Sequence, residues 1–196
     1  MPKLGMEAVR REQVIEAARK CIVDKGVANL SVKDIALAAG VSTGIIYHYF
    51  KNKEDVLLRV LRESFRKSYD QVMATVEPIK PPGDKLVKYI ENLNQAPQDN
   101  PDFFVLLLNY LGQAKSHEAV NEIVQDFIRN VVSYVEDLIA LGVAEDVFDQ
   151  DKADHLPEMI VALGLGLGIM WTIDLDLFDP ERMGKNLSEL IGGYIT

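Results

Sequence analysis

Between Thr43 and Lys53 the chain offers a hydroxyl, a bare backbone, a phenol and an imidazole, at Thr43, Gly44, Tyr47 and His48, followed by the ammonium groups of Lys51 and Lys53. At helical spacing Ile46, Tyr49 and Phe50 recur at i, i+3 and i+4 and form an inward face, which leaves the four polar or small positions outside. A short helix of that kind, backed by cations, suits hydrogen bonding to base edges and phosphates in a major groove. Bond-making chemistry has no comparable support. There is no HExxH, paired CxxC or nucleophile elbow, and His48, His117 and His155 are too dispersed to form a zinc set. No catalytic residue, metal ligand or cofactor is therefore expected.

The short helix must be held by its neighbours, because Thr43–Tyr49 is too brief to be stable alone. Ser31 with Asp34 three residues on forms a capping box for a preceding helix whose Ile35, Ala36 and Ala39 share one face. Gly40 is placed to end that helix in the left-handed conformation, Val41 packs back into the angle, and Ser42 caps the next helix. Upstream, Val14, Ile15, Ala18, Cys21 and Ile22 form an apolar stripe that covers the open side of the pair, with Gly26 past its end. Downstream, a long helix is expected from Asn52 to about Met73, with Lys53 in its first turn and Val56, Leu57, Val60, Leu61, Ser64 and Phe65 on its apolar face. The pattern alone leaves open a three-helix packing unit with exposed polar residues.

Residues 10–57 resemble the N-terminal domain of the TetR family of bacterial transcriptional regulators. The resemblance rests on Ile35, Ala36, Ala39, Gly40, Val41 and Ser42, followed by Tyr47, Tyr49, Phe50, Lys53 and Leu57 in the family's order and spacing. It implies an all-α fold of about nine helices. A three-helix DNA-binding domain with a helix-turn-helix, residues 1–51, would join a larger helical ligand-binding and dimerisation domain, residues 52–196. It further implies a homodimeric repressor on a palindromic double-stranded DNA operator. Ser42, Tyr47, His48 and Lys53 would contact phosphates, and Thr43 and Gly44 would lie against base edges, within reach of Tyr47. The last two helices of the family pair across a twofold axis, which makes Leu163, Gly164, Leu167, Gly168, Met170, Leu187, Leu190, Ile191 and Tyr194 the interface candidates.

The net charge of −9 is unevenly divided. Residues 1–55 hold nine basic and seven acidic side chains, for +2, whereas residues 56–196 hold twelve and twenty-three, for −11. An acidic body facing away from phosphate is compatible with a small basic head docked on it. Prolines at PIKPPG, Pro78–Gly83, and at APQDNP, Ala96–Pro101, read as breaks between helices. Helices carrying Leu86 to Leu93, Phe103 to Leu111, and Ile123 to Leu138 are expected between and after them. Two more are expected, over about Lys152–Asp174 and Pro180–Tyr194. Gly164, Gly166 and Gly168 read as a tight helix crossing or dimer face.

The resemblance implies an effector cavity among the middle helices. Phe103, Phe104, Leu107, Tyr110, Phe127, Tyr134, Met159, Met170 and Trp171 are its candidate lining, with Asn109, His117 and His155 as polar handles. The small-molecule effector would be largely apolar, and the acidic body favours a neutral or cationic one. Cys21 reads as a buried thiol. With no cleavable signal at Met1–Glu7 and no long apolar span, a cytoplasmic protein without a membrane partner is expected. A helical interaction module with degenerate DNA binding, and less readily a small-molecule enzyme, stand as alternatives.

Overall fold

The computed structural model describes residues 6–196. The sequence suggests a loose arm over Pro2–Glu7, with Lys3 as a candidate DNA contact, and most of that stretch lies outside the described residues. The described chain is all-α: α1 (Met6–Lys25), α2 (Val32–Ala39), α3 (Thr43–Tyr49), α4 (Lys53–Val76), α5 (Pro82–Asp99), α6 (Pro101–Ala114), α7 (Glu118–Ala144), α8 (Leu156–Ile173) and α9 (Pro180–Ile195). It divides into two compact units. One comprises the chain up to Phe65 together with Val105–Val124; the other comprises Arg66–Phe104 and Gln125–Thr196. The division falls inside α4, α6 and α7.

In the first unit α1 packs on α2, and Val14, Ala18, Ile22, Ile35, Ile46, Val56 and Val60 are buried. The turn between α2 and α3 forms as its residues dictate. Gly40 adopts φ 64°, and the Val41 N–H donates back to the Ala36 carbonyl at 3.0 Å. Gln13 Nε2 on α1 donates to the Ala39 carbonyl at 2.7 Å, satisfying a helix-end acceptor, and the Arg11 guanidinium lies 5.6 Å from the Phe50 ring centroid.

Ser31 and Asp34 form the reciprocal capping box, and Lys25 Nζ sits 2.6 Å from Asp34 Oδ1. Ser31→Ala is expected to lower stability by about 1 kcal/mol, read as a lower midpoint in thermal unfolding. The hydrogen bond from Lys25, followed by those from Ser31, holds the Asp34 carboxyl well below the usual carboxylate range. A carboxyl depressed in the folded state stabilises above its unfolded pKa. That contribution is present at neutral pH and is lost as pH falls through and below the ordinary carboxylate range.

In the second unit α5 packs against both α9 and α8. Tyr89, Ile90, Val135, Leu138, Ile160, Ile191 and Ile195 lie in its core. The run APQDNP does not break the chain where expected, since α5 continues through Pro97 to Asp99. Pro97 forfeits one helix hydrogen bond but is buried, and the Asn100 N–H still reaches the Ala96 carbonyl at 2.9 Å. Packing thus outweighs the local penalty, and the break is confined to Asn100.

α8 begins at Leu156 rather than Lys152, because Gln150–Lys152 forms a separate 3-10 turn and His155 has a positive φ of 55°. Contrary to the sequence expectation, its 18 residues are long and apolar enough to cross a membrane by composition. That length is near the lower limit for a span. In the fold Gly164 approaches Leu93 and Gly168 approaches Phe104, so one side of α8 is packed against protein.

Candidate functional site

The outward side of α3 carries the residues expected to meet DNA. Tyr47 is 56% exposed, His48 and Gly44 are exposed, and Thr43 is half-buried. Ile46 and Phe50 are buried beneath them. The Ser42 hydroxyl accepts from the Ile45 N–H at 3.4 Å, so it caps α3 while remaining exposed. His48 packs edge-on to Tyr49 at 4.9 Å between ring centroids. Among the described residues, a Cβ added at Gly44 would meet Ser42 Oγ, at 3.7 Å. Asn52 caps α4 by accepting from the Asp55 N–H at 2.8 Å. Lys53, in that first turn, places Nζ 3.5 Å from the Val27 carbonyl.

Two α6 residues fasten to the same unit. Asn109 Oδ1 accepts from the Val27 N–H at 3.3 Å, and the Tyr110 hydroxyl donates to the Leu57 carbonyl at 2.6 Å. Gly26, with φ 75°, leaves room for this approach, since an added Cβ would lie 3.1 Å from Asn109 Oδ1. Tyr110 and Leu107, expected at an effector cavity, are buried in this unit instead. The structural role of Asn109 was signalled only by its being a lone amide in the apolar run FFVLLLNYL.

The second unit holds an apolar cavity of about 40 Å³. Of the expected lining, Phe103, Phe104 and Phe127 are there; Tyr69, Val72 and Met73 from α4 and Tyr89 and Leu93 from α5 complete most of the wall. Tyr134 stands behind it, 5.3 Å from the Tyr89 ring and 6.5 Å from the Tyr69 ring, and its hydroxyl donates to Glu77 Oε1 at 3.1 Å. Burial raises the pKa of all three tyrosines, with Glu77 adding to the effect at Tyr134, so they remain neutral phenols at physiological pH. The Tyr89 hydroxyl is buried without a hydrogen-bond partner, an arrangement that costs about 1–3 kcal/mol. No Lys or Arg is among the lining residues. Met159 is exposed and Trp171 half-buried, and neither reaches the cavity. Among the described residues no cluster of His, Cys, Asp and Glu could hold a metal ion.

The interface candidates separate into two sets. Leu163, Met170, Leu190 and Tyr194 are exposed, with Leu190 at 68%. Leu167 and Leu187 are half-buried, while Gly164, Gly168 and Ile191 are buried within the protomer.

Residues 14–60 match the family of bacterial regulatory proteins named tetR, and residues 82–195 match the C-terminal part of BetI-type transcriptional repressors. The HTH-type transcriptional regulator BetI of Rhizobium meliloti is 31% identical over 169 residues, covering 86% of this chain and 81% of that regulator. A putative transcriptional regulator from Saccharomonospora viridis, solved in complex with choline, shares the fold with a TM-score of 0.85 and 24% identity, covering 96% of this chain and 98% of that one. FadR from Bacillus subtilis, solved with stearoyl-CoA, has a TM-score of 0.78 and 20% identity, covering 94% and 99%. The chain accordingly belongs to the TetR family of transcriptional regulators, with a C-terminal part of the BetI repressor type.

Proposed function

We propose that this regulator is a cytoplasmic repressor that binds a palindromic operator as a homodimer and is released by a compact organic cation of the quaternary-ammonium class. The observation that carries the effector reading is the cavity wall: Tyr69, Tyr89, Phe103, Phe104 and Phe127 converge, and no basic side chain lines the space. Aromatic faces attract cations, whereas a phosphate-bearing ligand calls for Arg or Lys. The choline complex of the Saccharomonospora viridis regulator supports the same class. The exposed apolar residues Leu163, Met170, Leu190 and Tyr194 on α8 and α9 support a face covered by a second copy.

The small cavity gives the ligand a way to act. The space of about 40 Å³ exceeds the roughly 10–15 Å³ that a single water requires. Release by such a ligand requires that it bind more tightly to an arrangement in which the wall has moved, because only differential affinity shifts the equilibrium. α6 carries both Phe103 and Phe104 at the wall and Asn109 and Tyr110 bonded to Val27 and Leu57. It is therefore the element we assign to transmit the change.

The test uses genome fragments selected by the purified protein, followed by footprinting with and without choline. Choline is expected to weaken operator binding while the dimer stays intact; saturating choline that leaves operator affinity unchanged sinks the effector reading. Tyr47→Ala is expected to weaken operator binding by about ten- to a hundredfold at fixed salt, with the melting curve preserved. Asn109→Ala is expected to retain choline affinity but to lose most of the choline effect on DNA, a coupling of about 5- to 150-fold in comparable systems. Calorimetry and operator titration on the same sample separate these two quantities.

A further inference from the structure

Two adjacent isoleucines in α3 have opposite fates: Ile46 is fully buried, whereas Ile45 is 37% exposed and shares the outward side with Gly44, Tyr47 and His48. A single exposed aliphatic residue is ordinary on a protein surface, so the exposure alone decides nothing. The setting of Ile45 decides more. Ile45 and His48 are neighbours at i, i+3 on the side turned away from the core. The Ile45 N–H donates within the protein, to the Ser42 carbonyl at 3.0 Å and to the Ser42 hydroxyl at 3.4 Å. What Ile45 offers outward is its side chain.

The rest of α3 lacks the usual base readers. Its sequence, TGIIYHY, includes no Arg, Lys, Asn or Gln, the side chains that read guanine or adenine through two hydrogen bonds at once, and Lys51 and Lys53 lie beyond its end. Thr43 and Tyr47 bring hydroxyls, which both donate and accept and so discriminate poorly between bases. Apolar contact is the remaining means of direct readout from this helix, and the apolar group that base pairs present in the major groove is the 5-methyl of thymine. We infer that Ile45 reads a thymine in each operator half-site through that methyl group. This rests on α3 lying in the major groove. Isoleucine suits the contact because its branched Cβ holds χ1 mainly to one rotamer in a helix, so little side-chain freedom is lost when the methyl groups meet.

The test is a titration of the full-length protein at fixed salt with the duplex recovered by footprinting, each thymine being replaced in turn by deoxyuridine. Uracil keeps every hydrogen-bonding group of thymine and loses only the methyl. In wild type, replacement at one position per half-site is expected to lower affinity by about fourfold, the contribution of one buried methyl. Ile45→Ala is expected to bind the thymine duplex several-fold more weakly than wild type does, and to bind the thymine and uracil duplexes alike. Ile45→Val, which trims one methyl, is expected to reduce the preference for thymine without abolishing it. A thermal melt of each variant verifies its fold. A wild type indifferent to every replacement overturns methyl readout and leaves the DNA-binding head standing. A thymine preference undiminished in Ile45→Ala overturns the assignment to this side chain. Failure of wild type to select any duplex over random DNA of the same length overturns operator reading by α3, and this inference with it.

Discussion

Gly44→Ala is expected to yield a protein at least as stable as wild type that has lost about ten- to a hundredfold in operator affinity. The two halves of that expectation have separate causes. Among the described residues a methyl at Gly44 meets Ser42 Oγ, at an ordinary contact distance of 3.7 Å, and alanine is favoured over glycine inside a helix by up to about 1 kcal/mol. The melting temperature should hold or rise. Toward DNA the position is different if α3 lies in the major groove, because a bare backbone there permits an approach that a side chain forbids. Loss of one well-fitted base contact, at about 1–3 kcal/mol, corresponds to the stated fall in affinity. Footprinting and a thermal melt of the same preparation decide the matter. Unchanged operator affinity would place Gly44 away from the base edges, and a lowered melting temperature would mean that the glycine serves the fold.

The reading head was legible in the sequence because its determinants are local. Ser31 with Asp34, Gly40 with its positive φ, and the Ile46 and Phe50 spacing each act within a few residues, and each appears in the structure at its expected place. The cavity was less legible because its wall is assembled from α4, α5, α6, α7 and α8. Phe103, Leu107 and Tyr110 recur on one face of α6, so periodicity treats them alike. Yet Phe103 and Tyr110 are separated along the helix by about 10 Å, at 1.5 Å per residue. Phe103 lines the cavity, whereas Tyr110 bonds the Leu57 carbonyl in the other unit. A helical face identifies what is buried, and position along the axis decides against which neighbour. Pro97 teaches the complementary lesson, since a local breaker yields when the residue itself is buried.

The same dependence on tertiary neighbours makes Gly168 the most sensitive position near the proposed effector. A Cβ at Gly168 would lie 2.2 Å from Phe104 Cε1 and Cζ, so the ring or α8 must move. Phe104 is buried and lines the cavity, so a ring displaced from α8 takes up space in a cavity of only about 40 Å³. Gly168→Ala is expected to lower stability by about 1–3 kcal/mol through overpacking, less whatever the alanine returns as helix propensity. Its larger effect should be on choline, with affinity reduced more than about tenfold and operator binding no longer released. Gly142→Ala supplies the control. Its Cβ would meet the Phe148 ring at 2.0 Å, an equally severe clash, but Phe148 belongs to the core and does not line the cavity. Both variants should melt earlier than wild type, and only Gly168→Ala should remain bound to the operator at choline concentrations that release the others. If the two variants respond to choline alike, loss of stability alone accounts for the effect and Phe104 is not a wall of the effector site.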